Sequence, residues 1–214
     1  MISNELIPLL IPVIMGLAAL IPLFFHRRRL QEPIPLLQAQ ADRLGGRVQN
    51  RVFGFKIYYE FERFGTQVRM RCQRGRGSSS VGTSVRSPAT IISAEIETPI
   101  VLRLKVNKSA RGGFNKTIGL DKLETGNTTF DRSFGIQSND KQFAIEFMDS
   151  DMQSLMLALT DSLKWPPQIS VSLGELELRS NYIFKDPAEF EAIADGFIAM
   201  LERLSKMQIE GETG

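Results

Sequence analysis

An unbroken apolar run lies near the start of the chain. Residues 6–25 contain no charged or amide side chain, and as an α-helix at about 1.5 Å per residue this run measures roughly 30 Å, the thickness of the hydrocarbon core of a bilayer. Pro8, Pro12 and Pro22 interrupt the run, but transmembrane helices tolerate proline where neighbouring groups satisfy the freed carbonyls. The pattern predicts a single transmembrane helix, which with its basic flank forms an anchor over residues 1–30.

The charges beside this run predict its orientation. The cluster His26, Arg27, Arg28 and Arg29 follows the run, whereas no Lys or Arg precedes it. A cleaved signal peptide has the opposite arrangement, with basic residues before the apolar run and a small-residue cleavage site after it. Since basic flanks stay on the cytoplasmic side, we expect a single-pass protein of the cell inner membrane with its N-terminus outside and its C-terminal domain cytoplasmic. The four residues of the cluster would lie at the membrane interface.

Small residues within the predicted span bear on its neighbours. Gly16, Ala18 and Ala19 lie near the middle of the run, and small side chains let transmembrane helices approach one another closely. Together with the kink expected at Pro12, they favour packing of the span against other helices. A lone anchor would need neither feature.

Beyond the anchor, the apolar pattern predicts one folded domain. Residues 31–35 contain two prolines and form a stiff connector, residues 36–208 form a cytosolic domain, and residues 209–214 are a tail. The domain opens with an amphipathic helix, because apolar residues recur at helical spacing until Gly45 and Gly46 end it.

The period of the apolar positions then changes from about 3.6 to 2, which is typical of half-buried strands. Residues 55–61 and 66–73 alternate in this way around Gly65 and predict a hairpin. Cys72 falls on its inward face, where a small buried hydrophobe is a better explanation than a nucleophile. Further strands are predicted over 89–97, 100–106, 130–136, 169–173 and 175–184, and helices over 141–163, with a division around 148–151, and over 187–207.

The order of these elements predicts the fold class. Strands joined by hairpins, with helices gathered late in the chain, are typical of an antiparallel α+β domain, since a doubly wound parallel sheet needs strands and helices in alternation. The sequence therefore predicts an α+β protein in which a single N-terminal transmembrane helix precedes a mainly antiparallel sheet packed by two or three helices.

Two short motifs carry a resemblance. Leu44-Gly45-Gly46 forms one, and the other is the TGNTTFDRSF segment that starts at Thr125. With the apolar N-terminus, they resemble a scattered group of uncharacterised bacterial single-pass membrane-anchored proteins. The resemblance extends over roughly residues 36–204 and implies a shared architecture, and no activity comes with it.

Composition excludes several classes of chemistry. The chain has one cysteine and one histidine, which removes disulfide frameworks, Cys/His metal sites and any catalytic triad in the domain. Two carboxylate pairs remain, Asp149 with Asp151 and Glu175 with Glu177, and these are explained by helix N-terminal charge and by the solvent face of a strand. We therefore expect no enzymatic activity, no catalytic residue, no metal and no cofactor.

Charge is distributed unevenly along the chain. Residues 27–116 carry a net charge of +12, whereas residues 117–214 carry −9. In the Gly/Ser-rich loop that follows residue 73, Arg74 and Arg76 are candidates for contact with anionic lipid or with an acidic partner surface, at about 1 kcal/mol per basic residue near a membrane. The basic run is too short and too poor in aromatic residues to predict nucleic-acid binding.

Two functions are compatible with these observations. In the first, the protein is a non-enzymatic, membrane-anchored interaction module, an accessory or structural subunit of a larger integral membrane complex. In the second, it is a stand-alone peripheral domain that binds anionic lipid or a small ligand at the cytoplasmic membrane surface. The kinked span with its small residues favours the first.

Overall fold

The computed structural model describes residues 33–51, 56–73, 88–106, 119–164 and 166–212 of the chain. Within these ranges the chain forms five helices and nine strands. They are, in chain order, α1 Ile34–Leu44, β1 Arg47–Arg51, β2 Lys56–Arg63, β3 Thr66–Gln73, β4 Ala89–Glu95, β5 Leu102–Val106, β6 Asp121–Leu123, α2 Thr128–Ser133, β7 Phe134–Ser138, α3 Lys141–Phe147, α4 Ser150–Ser162, β8 Gln168–Ser172, β9 Glu175–Ser180 and α5 Pro187–Glu212.

All nine strands belong to one sheet, with the order β1-β2-β3-β4-β9-β8-β5-β7-β6. Every neighbouring pair is antiparallel. The late hairpin of β8 and β9 lies between β4 and β5, so it joins the strands of the first half of the domain to β5, β7 and β6. Contacts between residues far apart in sequence therefore hold the centre of the sheet together.

The fold class and the location predicted from the sequence need correction. The sheet has more strands than predicted and five helices accompany it, where two or three were expected. Among the helices of the described ranges, none combines the length and the apolar character needed to cross a bilayer; α5 is long, but exposed Glu191 and Asp195 recur along it. The prediction of a single-pass protein of the inner membrane with a cytoplasmic domain is corrected on this finding. Residues 6–25, which carried it, lie outside the described residues.

The segment predicted as a strand over 130–136 is a helix followed by a strand. The Asn127 side chain accepts hydrogen bonds from the backbone amides of Thr129 and Phe130 and so caps the N-terminus of α2. Phe130 and Phe134 are both buried, and their rings stack at 4.7 Å. Residues four apart share a face of a helix as readily as of a strand, so this pair could not distinguish the two.

The core lies between one face of the sheet and the helices. Alternate strand residues such as Tyr59, Met70 and Ile92 are fully buried there, together with Phe190 and Phe197 of α5. Each fully buried side chain of this size contributes roughly 1.5–3 kcal/mol of burial free energy. The Cys72 position confirms the predicted pattern, because Val68 and Met70 are buried on the same face while Arg69 and Arg71 are exposed on the other.

The opposite face of the sheet is polar. Arg47 of β1, Glu60 of β2 and Arg69 of β3 lie in register, and the buried Glu60 carboxylate accepts from the Arg69 guanidinium at 2.8 Å and from the Gln49 amide at 2.6 Å. The Arg69 guanidinium also lies 5.3 Å from the centre of the Tyr58 ring. Both carboxylate oxygens of Glu60 are thus occupied, as a buried charge requires.

Candidate interaction surface

The residues predicted to pack within the membrane, to lie at its interface or to contact lipid or a partner are outside the part of the chain that the structure describes. They are His26, Arg27, Arg28 and Arg29 of the predicted membrane interface, Gly16, Ala18 and Ala19 of the predicted span, and Arg74 and Arg76 of the basic loop. Other residues, Glu175 among them, form a candidate interaction surface in the described part of the chain.

Two hairpins have the same type of turn. Phe64 and Gly65 connect β2 to β3, where Arg63 pairs with Thr66, and both have positive φ, 52° and 71°. Leu173 and Gly174 connect β8 to β9 with φ of 54° and 74°. A two-residue loop with positive φ at both positions is a type I′ turn, whose twist matches that of antiparallel strands.

The first residue of each turn is unusual for its position. Type I′ turns favour Asn, Asp or Gly there, because a left-handed backbone costs other residues roughly 1–2 kcal/mol. Leu173 is 100% exposed and Phe64 is 47% exposed. Two large apolar side chains are thus held out from the fold in a strained conformation, and the fold gains little or no burial from Leu173.

Both turns lie at the same end of the sheet, on either side of β4. Strand β4 pairs with β3 on one side and with β9 on the other, and the backbone amide of Ile96, just beyond β4, donates to the Gly174 carbonyl at 2.7 Å. The first turn joins β2 to β3 and the second joins β8 to β9, so their centres lie three strand spacings apart, about 14 Å at about 4.8 Å per spacing.

A groove of about 890 Å³ extends between these turns and α5. Leu201, Leu204 and Ser205 of α5 border it, but the two leucines are only 2% and 3% exposed and belong to the core. We call this groove, together with Phe64 and Leu173, the tip surface.

The charged residues of the tip surface are acidic. Glu95 of β4 and Glu175 of β9 line the groove and lie directly opposite each other in the register of the two strands. Both are exposed, and neither has an ion-pair partner among the described residues. Glu97 lines the same groove. Like charges directly opposite in an antiparallel pair destabilise a sheet, so this arrangement lowers the stability of the isolated fold.

Cys72 and Tyr59 have strongly shifted pKa values and structural roles. Burial raises the pKa of the Cys72 thiol to about 11, against a smaller opposite effect of a hydrogen bond with Thr90. Burial likewise raises the pKa of Tyr59 to about 12, partly offset by Arg63 and Arg43. The Tyr59 hydroxyl donates to the backbone carbonyls of Gln40 and Gly45, so it ties α1 to β2. The raised pKa of Cys72 disfavours the thiolate, and a protonated thiol is a poor nucleophile.

Within the described ranges, no group of three or more His, Cys, Asp or Glu side chains could hold a metal ion. Asp149, a carboxylate noted in the sequence, caps α4 by accepting from the backbone amide of Met152 at 2.9 Å and pairs with Arg203 at 3.1 Å. Its position at a helix N-terminus confirms the prediction from the sequence.

Sequence reasoning did not identify the tip surface. The signal available was the pair of dipeptides Phe64-Gly65 and Leu173-Gly174, each at a hairpin turn where Asn-Gly would be expected. The predicted hairpins are confirmed. The pattern of apolar positions locates the two turns, but it does not distinguish a bulky turn residue that serves binding from one that is buried in the core. The opposition of Glu95 and Glu175 depends on pairing between distant segments.

Comparison with known proteins gives a similarity of fold. Among solved structures, the chain is similar to the mycobacterial trehalose monomycolate transport factor A, TtfA, with a TM-score of 0.50 and 11% sequence identity over 84% of this chain and 94% of that one. No protein-family model matches the sequence, and no curated protein matches it. At this identity the likeness concerns the fold alone.

Proposed function

We propose that this chain is a non-enzymatic accessory protein that docks on a membrane transport complex through the tip surface. The observation that carries the proposal is the exposure of Phe64 and Leu173 in the left-handed conformation. Strained backbone persists where function requires it, and exposed apolar side chains grouped at one site are typical of the centres of protein interfaces.

The repulsion at the same site supports the proposal. The paired Glu95 and Glu175 destabilise the isolated fold for no structural gain, as does the strained backbone at Leu173. These costs lie around one groove, whereas both oxygens of the buried Glu60 carboxylate accept hydrogen bonds. Features that destabilise the free protein and are grouped at one place on its surface are typical of a functional site.

The transport component of the proposal rests on the fold. The protein of similar fold, TtfA, is by its name a trehalose monomycolate transport factor. The absence of enzymatic activity is proposed because the single histidine of the chain, His26, precedes the domain, and because burial raises the pKa of the Cys72 thiol, whereas an activated nucleophile needs a lowered one.

Site-specific photo-crosslinking tests the proposal. A benzophenone amino acid is placed at position 173 of the full-length chain in its native cells, and the matched control places it at Ile145, which is 45% exposed on α3 and does not line the groove. We expect position 173 to crosslink to an integral membrane protein of a transport system, identified by mass spectrometry, and position 145 to give much less of this product. Crosslinks from position 173 that contain no transport protein would overturn the proposal.

A further inference from the structure

We infer that the tip surface binds a basic amphipathic helix of its partner protein. This inference rests on the proposed function and specifies the chemistry of the partner. Two features of the tip surface carry it: the negative charge of Glu95 and Glu175, which have no ion-pair partner among the described residues, and the spacing of its two exposed apolar side chains.

The charge of the tip surface selects a cationic partner. Glu95 and Glu175 are exposed and face the same groove without an ion-pair partner among the described residues. A Lys or Arg from a partner, placed between the two carboxylates, would replace their mutual repulsion by two attractions. Complementary charge of this kind fixes the choice of partner and accelerates association.

The apolar side chains define where the partner makes its main contacts. The turns that carry Phe64 and Leu173 lie on either side of β4 with their centres three strand spacings apart, about 14 Å. An α-helix with its side chains is about 10–12 Å wide, so one helix fits between the two turns. Its apolar face would contact the exposed Phe64 and Leu173, and its basic residues would flank that face and reach Glu95 and Glu175.

An extended basic peptide without apolar residues is a poorer match. It would satisfy the carboxylates but would leave Leu173 fully exposed, and exposed rim charges alone contribute little affinity. The recognition mode that uses both features is a helix in a groove, where apolar anchors recur every three or four residues.

Two designed peptides test this inference with the full-length chain in a mild non-ionic detergent. The first has leucines at helical i, i+3, i+4 and i+7 spacing with lysine at the other positions, and the second has the same leucines with glutamate in place of lysine. Binding is followed by fluorescence anisotropy. Partition of a peptide into micelles is the same for every variant of the protein, so differences between variants report on the tip surface.

We expect the lysine peptide to bind the wild-type chain at least about tenfold more tightly than the glutamate peptide at about 0.1 M salt, with the difference shrinking toward about 1 M as charges are screened. The double variant Glu95→Gln/Glu175→Gln should lose most of this preference, about fivefold to tenfold in affinity. The matched control Glu124→Gln/Glu191→Gln removes the same charge from exposed positions outside the groove and should bind like the wild type.

A second variant separates the apolar contribution from the charge. Phe64→Asn/Leu173→Asn places at both turns a residue that tolerates the left-handed backbone, so this variant should fold. It should nevertheless bind the lysine peptide about tenfold more weakly at all salt concentrations. Equal binding of the two peptides, or wild-type affinity in either double variant, overturns the inference. If photo-crosslinking at position 173 captures a transport protein through an acidic or uncharged segment, the proposed function stands and this inference fails.

Discussion

Asp131 and Thr125 are joined by two hydrogen bonds, because Oδ1 of Asp131 accepts from both the backbone amide and the hydroxyl of Thr125, each at 3.0 Å. The other carboxylate oxygen accepts from the Gly126 amide at 3.1 Å. This carboxylate thus closes the turn that leads into α2, where Asn127 caps the helix. The acidic residue of the FDRSF motif has a local structural explanation, and it is not the exposed strand residue that alternation would predict.

Replacing Asp131 by Ala should lower the free energy of unfolding by about 1–3 kcal/mol, since three donors of the turn lose a charged acceptor. Asp131→Asn, which keeps one acceptor oxygen, should recover part of the loss. The control is Arg132→Ala, because Arg132 is exposed and its loss should change stability by less than about 0.5 kcal/mol. Urea denaturation of the three variants measures these differences, and equal effects at positions 131 and 132 would contradict the assignment.

The adjacent glycines of the LGG motif should differ in their tolerance of a side chain. A Cβ atom at Gly46 would collide with the Glu60 carbonyl and lie 2.8 Å from Cβ of Phe61, whereas at Gly45 it would meet no atom within 4 Å. Gly45 has φ 78° and ψ −178°, a region open essentially to glycine alone, so Gly45→Ala should cost about 1–3 kcal/mol.

Gly46→Ala should cost more than Gly45→Ala, about 3 kcal/mol or more, because the backbone of β2 must move in addition to the strain of a φ of 95°. Thermal unfolding of the two variants gives the order directly. If Gly45→Ala proves the more destabilising variant, then the close packing of Gly46 on β2 is not the reason that position 46 requires glycine.

The Cys72 thiol should react slowly in the folded protein. Its pKa is raised from 9.0 to about 11, and only the thiolate is nucleophilic. At about pH 8 the reaction with a disulfide reagent should therefore be roughly 100-fold slower than in the urea-unfolded chain, with a rate that rises with pH until about 11. Equal rates in the two states would contradict a buried thiol.

The same shift predicts the direction of a pH effect on stability. The unfolded chain loses the Cys72 proton near pH 9, before the folded chain does near pH 11. The folded chain holds the Cys72 proton more tightly than the unfolded chain does. The contribution of this proton to the free energy of unfolding is therefore fully present below about pH 9, and it is lost as the pH rises from 9 to 11. Chemical denaturation at a series of pH values measures it, and Cys72→Ala should flatten the profile between about pH 9 and 10, above which the raised pKa of Tyr59 also lowers stability.

The sequence was sufficient where strongly patterned segments form their own elements. The β2–β3 hairpin, the turn at Gly174 and the start of α5, where the Ala188 amide donates to Asp186 at 2.9 Å, all follow local patterns and are confirmed. The short strands β1 and β6 were missed for a physical reason. Arg47–Arg51 has one apolar residue and Asp121–Leu123 has three residues in all, so each is a strand only because a neighbour offers hydrogen bonds.

The tip surface could not be assembled from the sequence for a related reason. Its elements come from two turns, the end of β4 and α5, and their proximity follows from the insertion of β8 and β9 between β4 and β5. Alternation assigns Glu175 to the solvent face correctly, since it is exposed, but it does not show that Glu95 lies opposite. The function of these residues depends on that pairing.

The final prediction separates a binding role of Leu173 from a structural one. Because this side chain is fully exposed and its φ is 54°, Leu173→Asn removes no burial and places at the turn a residue that adopts the left-handed backbone readily.

We therefore expect Leu173→Asn to raise the free energy of unfolding by about 0.5–1 kcal/mol while it reduces crosslinking to the transport partner from a benzophenone placed at Phe64. Ile145→Asn, at the 45% exposed position of α3, should lower stability, since asparagine is a poorer helix former and part of the isoleucine is buried. It should leave that crosslinking unchanged. A residue whose replacement stabilises the fold is retained for something other than the fold; a loss of stability in Leu173→Asn would instead show that the leucine supports its own turn.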